Sequence, residues 1–302
     1  MERESAAYKI RRKGQSIAHK LFSKKFLSKL YYRIVMKEKL DLKNPKTFNE
    51  KMQWLKLYYF PKNDLAVQCA DKYEVRRFIA QNGYGDKLVP LIGVWDSSKE
   101  IGWGELPDKF VLKCTHGCAY NIVCSDKEKL DIKQTSKKLD KWLKEDFGAF
   151  NIEEHYSKNK HHRIICEQYL GDCIDDFKFF CFNGEPKCLY VSTDLIHDRQ
   201  AKIGFFNLDG TKMELHRDDY VNIESVSFPP FFKEMLSIAK KLCEPFPFVR
   251  VDFFLANETF YFAELTFTPS ACMMPFNPKK CDLEWGCMLD ISKEMNLYGK
   301  GK

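Results

Sequence analysis

Residues 248–269 read FVRVDFFLANETFYFAELTFTP, and the organisation of the chain follows from them. Val249, Val251 and Phe253 alternate with Arg250, Asp252 and Phe254, and beyond a turn at Ala256-Asn257-Glu258 the apolar positions resume at Phe260, Phe262 and Leu265. Such alternation on both sides of a turn predicts a β-hairpin. Arg250 and Asp252 then share one face of the first strand, and Glu264, twelve residues beyond Asp252, returns opposite it. An apolar hairpin does not desolvate two carboxylates and a guanidinium without partners, because unpaired buried charge costs several kcal/mol. Two arrangements meet that need: an Arg-Asp-Glu ion-pair cluster, or a hard cation on carboxylate oxygens that bridges to phosphate.

The chain has 302 residues, 44% of them hydrophobic, enough for a substantial core in one or two domains. No apolar run approaches the roughly 18 residues of a membrane span, and no signal-peptide pattern opens the sequence, so a cytoplasmic protein is expected. The twelve cysteines sit mostly in apolar strands (Cys114, Cys124, Cys166, Cys181, Cys188) without paired CxxC spacing, which predicts reduced core thiols. Net charge is +7, yet residues 1–39 alone hold twelve Lys or Arg against three Glu, so the remainder is slightly acidic. Ile10, Ile17, Leu21, Leu27, Leu30, Tyr31 and Ile34 recur there at helical spacing. A basic amphipathic helix of this kind suits packing on its own domain, or an anionic surface at the inner face of a membrane; without a recognised motif, nucleic acid is not expected.

Taken in order, Thr47 and Glu50 form a capping box ahead of Phe48, Met52, Leu55 and Tyr59. A helix opening at Asp71 carries Lys72 and runs to Gln81. Strands are expected at 88–94, 110–114 and 122–124, the last two joined by a loop, 115–121, whose backbone N–H groups can meet anionic oxygens. A helix at 130–147 and a polar loop at 149–162 lead to strands at 163–170, 176–182 and 186–193, then a charged loop at 194–202. Helices at 231–242 and 285–295 flank the organising hairpin.

In this order, the stretches LKNPKTFNEKMQWLKLYY, DKYEVRRF, LPDKFVLKCTHG, IICEQYL, DFKFFCFNG, FPFVRVDFF and YFAELTFTP resemble the ATP-grasp fold, specifically its TupA-like branch associated with cell-surface polysaccharide and teichuronopeptide biosynthesis. The resemblance covers residues 30–280 and implies an α+β protein that binds its nucleotide between two α+β subdomains. The implied divisions are a basic helical extension (1–60), an α/β segment with the Lys72 helix (61–105), a small subdomain with a phosphate-cover loop (106–170) and a large subdomain with the metal site (171–302). By similarity to ligases such as D-alanine:D-alanine ligase, Lys72 and Lys113 would contact the phosphates of ATP beneath a loop carrying His116 and Gly117. Glu167, with Gln168, Tyr169 and Leu170, would edge the adenine, Asp176 would meet the ribose, and Lys178 would meet phosphate or acceptor. Asp252 and Glu264 match two Mg²⁺ carboxylates, and Arg250 matches the residue that stabilises the transferring phosphoryl group.

Three positions depart from the family pattern. Thr266 stands where a third metal ligand is usually Asn, Pro269-Ser270 replaces Pro-Gly, and Gly117-Cys118-Ala119-Tyr120 replaces a Gly-Ser-Gly-Gly-like loop, with Tyr120 expected to add a stacking contact. The implied reaction is ATP-dependent carboxylate–amine ligation through an acylphosphate. Its implied substrates are a uronic-acid sugar, polysaccharide or capsular precursor and an amine. The rival readings are a glycosyltransferase, for which no Asp-x-Asp stands at an obvious strand end, and a non-catalytic ATP-binding scaffold.

Overall fold

The structure is a computed structural model that describes residues 6–172, 174–193, 202–218 and 220–299, with side chains from Ile10 onward. Apart from Lys202, the charged loop expected at 194–202 lies outside these residues. Two sheets carry the architecture. Strands β1 (Leu91–Trp95), β2 (Phe110–Cys114), β3 (Asn121–Cys124) and β4 (Ile164–Gln168) form an antiparallel sheet in the order β1-β4-β2-β3. Strands β5 (Asp175–Phe182), β6 (Glu185–Thr193), β7 (Lys202–Asn207), β8 (Val221–Asn222), β9 (Phe248–Ala256) and β10 (Thr259–Thr266) form the second, in the order β10-β9-β5-β6-β7-β8.

The helices are α1 (Ala6–Leu21), α2 (Lys24–Met36), α3 (Phe48–Tyr58), α4 (Asp64–Cys69), α5 (Glu74–Gln81), α6 (Ile132–Leu143), α7 (Phe147–Asn151), α8 (Glu154–Lys158), α9 (Phe232–Cys243), α10 (Lys280–Met288) and α11 (Ser292–Tyr298). The capping box at Thr47 and Glu50 is present, and it aims Phe48, Met52 and Leu55 into the larger core. There Trp285 is met by the rings of Phe48, Phe180, Phe182, Phe205 and Phe276 at steep angles, with centroids 4.9–6.0 Å away. Such packing suits the ring quadrupole and fixes the back of the six-stranded sheet. The four-stranded sheet has its own core of Phe110, Leu112, Cys114, Leu139, Ile164 and Cys166. Cys114, Cys124, Cys166, Cys181 and Cys188 are buried free thiols, as expected.

Local readings fail where side chains override pattern. The basic N-terminal segment is two helices, because Ser23 accepts a hydrogen bond from Phe26 N–H and starts α2 anew. The polar loop expected at 149–162 contains the end of α7 and all of α8: Asp146 caps α7, and Phe147 and Phe150 bury its apolar side. The terminal helix divides into α10 and α11 around Leu289, Asp290 and Ile291. Among the described residues no helix is long and apolar enough to cross a membrane.

Candidate active site

The site face of β9 is set by alternation. Val249, Val251 and Phe253 are fully buried against the core, which turns Arg250, Asp252 and Phe254 to the other face as a row. At about 3.3 Å per residue, that row spans about 13 Å. In its middle, Arg250 grips Asp252 with two parallel hydrogen bonds, Nε to Oδ1 at 2.8 Å and Nη2 to Oδ2 at 2.6 Å. Arg250 Nη2 also donates to Thr266 Oγ1 (3.1 Å), and Thr266 Oγ1 donates to Glu264 Oε1 (2.8 Å).

Glu264 reaches this face because β10 is irregular. Phe262 pairs with Phe253, but Glu264 pairs with Asp252 rather than Val251, so Ala263 is an extra residue bulged out of the ladder. Were Ala263 paired with Asp252 in a regular ladder, Glu264 would fall on the apolar face beside Val251, since a one-residue slip flips every side chain. The bulge was legible in the spacing of three between Phe262 and Leu265, where strict alternation gives two.

The charges on this face act on one another. Burial pushes the Asp252 carboxyl up to about 6, against the pull of Arg250. Although desolvation opposes it, the charges of Lys72 and Arg250 hold the Glu264 carboxyl below its ordinary value. Lys72 stands in the turn before α5 rather than on the expected helix, because the helix starts only at Glu74, and its Nζ donates to Gly117 O at 2.6 Å.

Two cavities open along the row. The first, about 710 Å³, is lined by Lys113 of β2, by residues 167–172 and by Phe254. Within it the Glu167 carboxylate accepts from Lys113 Nζ (2.6 Å) and from Arg76 Nη1 (3.2 Å). Lys113 Nζ also lies 5.7 Å from the centre of the Phe254 ring. Gln168 N–H donates to Pro90 O.

The second cavity, about 730 Å³, meets Arg250, Glu264 and Thr266 at the far end of the row. Its floor includes Glu153, which accepts a 2.5 Å hydrogen bond from Thr268 Oγ1 and whose carboxyl is pushed up by burial. Beside it Ser270, Ala271 and Cys272 hold φ values of 51°, 54° and 61° in succession. Left-handed backbone costs a non-glycine residue about 1–2 kcal/mol, so this turn must be held from outside. It is held by α3: Lys56 Nζ donates to Ala271 O (3.2 Å) and Gln53 Nε2 to Cys272 O (3.1 Å).

The sequence model of one protein family, described as TupA-like ATPgrasp, matches residues 50–290. The chain belongs to the TupA-like ATP-grasp family. As a TupA-like protein it is an ATP-dependent ligase of the ATP-grasp class, with the α+β architecture described above. Among solved structures, it is similar to D-alanine–D-alanine ligase from Helicobacter pylori (14% identity, 82% of this chain and 70% of that one, TM-score 0.48). It is also similar to D-alanine–D-alanine ligase from Bacillus anthracis (15%, 77% and 68%, 0.47) and L-amino acid ligase from Bacillus licheniformis (14%, 67% and 43%, 0.40). No curated protein matches.

In this TupA-like protein, Lys113, Glu167, Gln168, Tyr169 and Leu170 come together at the first cavity, and Arg250, Asp252, Glu264 and Thr266 on the shared face. Other expected site residues are placed differently. His116 is 1% exposed, its ring stacked at 3.6 Å on His162, and it lines neither cavity. Its Nε2 lies 3.0 Å from Trp142 O, a pure acceptor, so Nε2 carries the proton. Burial pushes this imidazole down to about 4. Asp176 and Lys178 form an ion pair with each other and line neither cavity, although Lys178 stands opposite Asp252 in the ladder.

Tyr120 corrects the expectation of a ligand-stacking ring. It stacks inward on Trp142 at 5.2 Å and donates to Glu145 Oε2 at 2.6 Å. Gly117 is required beneath it, because a Cβ there would lie 2.9 Å from the Phe147 and Tyr120 rings. Sequence reasoning missed Arg76, although it follows Lys72 within the same DKYEVRRF stretch. Glu153 carried no comparable signal, and the turn at 270–272 carried only the departure at Pro269-Ser270.

Proposed function

We propose that this ligase joins a carboxylate to an amine by way of an acylphosphate, and that its reacting groups meet on the site face of β9. The observation that carries the reading is the row Phe254, Asp252, Arg250, which borders one cavity at one end and the other cavity at the other. The purine would lie against Phe254 and the segment 168–170, and the triphosphate would be held by Lys113 and Lys72. The acceptor carboxylate would enter from the second cavity.

Asp252, Glu264 and Thr266 would hold Mg²⁺. Their donors are all oxygen, and two carboxylates is the number this ion commonly takes when phosphate and water complete its shell. Bound there, it would neutralise charge on the phosphates. Arg250, adjacent to those oxygens, would offset charge on the transferring phosphoryl group, and Lys72, tied to Gly117, would draw the 115–121 loop over the site and exclude water. Proton removal from the attacking amine falls to Glu153, a buried carboxylate in the second cavity.

The family resemblance supports a uronic acid in a cell-surface or capsular polysaccharide, or in its precursor, as the carboxylate. An anionic membrane surface, on the cytoplasmic side, is supported by the N-terminal helices. Ile10, Ile17 and Leu21 on one face of α1, and Phe26, Leu30 and Ile34 on α2, are 40–72% exposed, and the Phe22 and Phe26 rings link the two stripes at 5.3 Å.

The test is release of ADP and phosphate with Mg²⁺ across a panel of uronic acids and amines, for wild type and Asp252→Asn. Release that needs both partners and disappears in the variant is the expected result. ATP binding without turnover for any pair, polymeric acceptors included, would favour a scaffold instead.

A further inference from the structure

The second cavity is not completed by the part of the chain that matches the family. One of its walls comes from α1 and α2, through Arg11, Arg12 and Gln15 on the first helix and Tyr31, Ile34 and Val35 on the second. All six precede residue 50, where the family match begins. The N-terminal extension is therefore part of the acceptor chamber as well as a surface element.

Its packing explains how those arginines reach the cavity. At 100° per residue, Ile10, Ile17 and Leu21 fall on the outer side of α1, and Arg12 and Gln15 fall on the opposite side. That inner side lies on α7, with the Arg12 guanidinium 3.8 Å from the centre of the Phe150 ring and Gln15 Nε2 3.5 Å from Asn151 Oδ1. The Glu153 carboxyl feels the charge of Arg12. Arg11, at the outer edge of the same wall, is exposed and has no ion-pair partner among the described residues.

The charge balance of the chamber follows. Its carboxylates are Glu153 and Glu264, and each already has neighbours of its own: Thr268 for Glu153, Thr266 and Arg250 for Glu264. Two further guanidiniums, Arg11 and Arg12, line the wall that α1 supplies; Arg12 acts on Glu153, and Arg11 has no ion-pair partner among the described residues. Guanidinium is the group best suited to a carboxylate or phosphate, through paired N–H donors.

We propose that Arg11 and Arg12 form a subsite for a second oxyanion on the acceptor, so that the preferred substrate carries one carboxylate to be activated and another anionic group to be held. This rests on the ligase reading for the first carboxylate, but not on turnover. The second oxyanion is either a phosphate on the sugar or the carboxylate of a neighbouring acidic sugar, and the two are separable by experiment.

The experiment uses the full chain with its nucleotide site filled by a non-hydrolysable ATP analogue and Mg²⁺. Glucuronic acid, glucuronic acid 1-phosphate and digalacturonic acid are titrated calorimetrically into wild type, Arg11→Ala, Arg12→Ala and the conservative Arg11→Lys. The expected result is that one doubly anionic probe binds more tightly than glucuronic acid, with about tenfold of that gain lost in each alanine variant and part of it restored by lysine. Whichever probe shows the gain identifies the oxyanion as phosphate or carboxylate.

Equal affinity of the variants and wild type for all three probes would overturn the subsite. So would a loss of glucuronic acid binding as large as that of the doubly anionic probes, since it would mean that the helix merely props the chamber. Affinity for the ATP analogue is measured alongside and is expected to stay within twofold or so of wild type. If the ligase reading alone is wrong, ADP release is absent while the difference between probes persists.

Discussion

The two cavities meet along β9 but are built from different material. Around the first, the charged and aromatic side chains stand on regular strands: Lys113 on β2, Glu167 on β4 and Phe254 on β9. Around the second, the walls are a left-handed turn at 270–272, the junction of two short helices at Glu153, and an N-terminal helix outside the family match. Strand alternation fixes the direction of a side chain with little dependence on its surroundings, whereas a strained turn exists only while α3 holds it. The regular half suits a ligand common to a family, and the irregular half suits one that differs between members.

Exchanging Glu264 and Leu265 should break both halves at once. The carboxylate would then stand beside Val251 on the apolar face, at a cost of several kcal/mol, a large share of the roughly 5–15 kcal/mol that stabilises a typical domain. A thermal melt should show loss of the cooperative transition or a severe drop in its midpoint. A transition near that of wild type would mean that this register does not fix the face Glu264 takes.

Single substitutions should then separate the halves. Arg250→Met is expected to lower acceptor-dependent ADP release by about 10²–10³-fold while leaving ATP affinity much less affected. Lys113→Met should instead raise KM for ATP by about tenfold or more and leave acceptor KM nearly unchanged. Steady-state kinetics in both substrates reads the two patterns, and identical patterns would collapse the distinction.

Acid should weaken each side through one buried histidine. His116 stands at the loop between β2 and β3 and His155 on α8; burial pushes their imidazoles down to about 4 and about 3. The unfolded chain therefore takes up these protons first. Stability is fully present above about pH 6.5 and is lost as pH falls toward 4, by up to about 1.4 kcal/mol per pH unit for each histidine. Denaturant unfolding between pH 7 and pH 4.5 measures the slope, and His155→Phe should flatten it.

The smallest effect is expected at the turn. Ser270 holds φ 51°, which glycine adopts without strain, so Ser270→Gly should raise stability by up to about 1 kcal/mol. That gain would appear as a midpoint shift of about 2 °C.

The same contrast explains what could be read in advance. The hairpin, its Arg250-Asp252 face and the Lys113 and Glu167 strands follow from period-two patterning and stand where that patterning puts them, whereas Glu264 joins the face only through the bulge at Ala263. Tyr120 and His116 could not be oriented from sequence, because only Trp142 and His162, distant in the chain, show which way their rings pack. Glu153 was hidden in a segment taken for loop. Its burial depends on Asp146 capping α7 and on Thr268, more than a hundred residues later, donating to its carboxylate.

The central claim is that a carboxylate from the second cavity meets the γ-phosphate from the first at the face bearing Asp252. It is tested most directly by following oxygen. With glucuronic acid carrying ¹⁸O in its carboxylate, ATP, Mg²⁺ and an amine acceptor, an acylphosphate route moves one labelled oxygen into the inorganic phosphate as the amide forms. Amide formation with unlabelled phosphate, or with AMP and pyrophosphate as products, would contradict it.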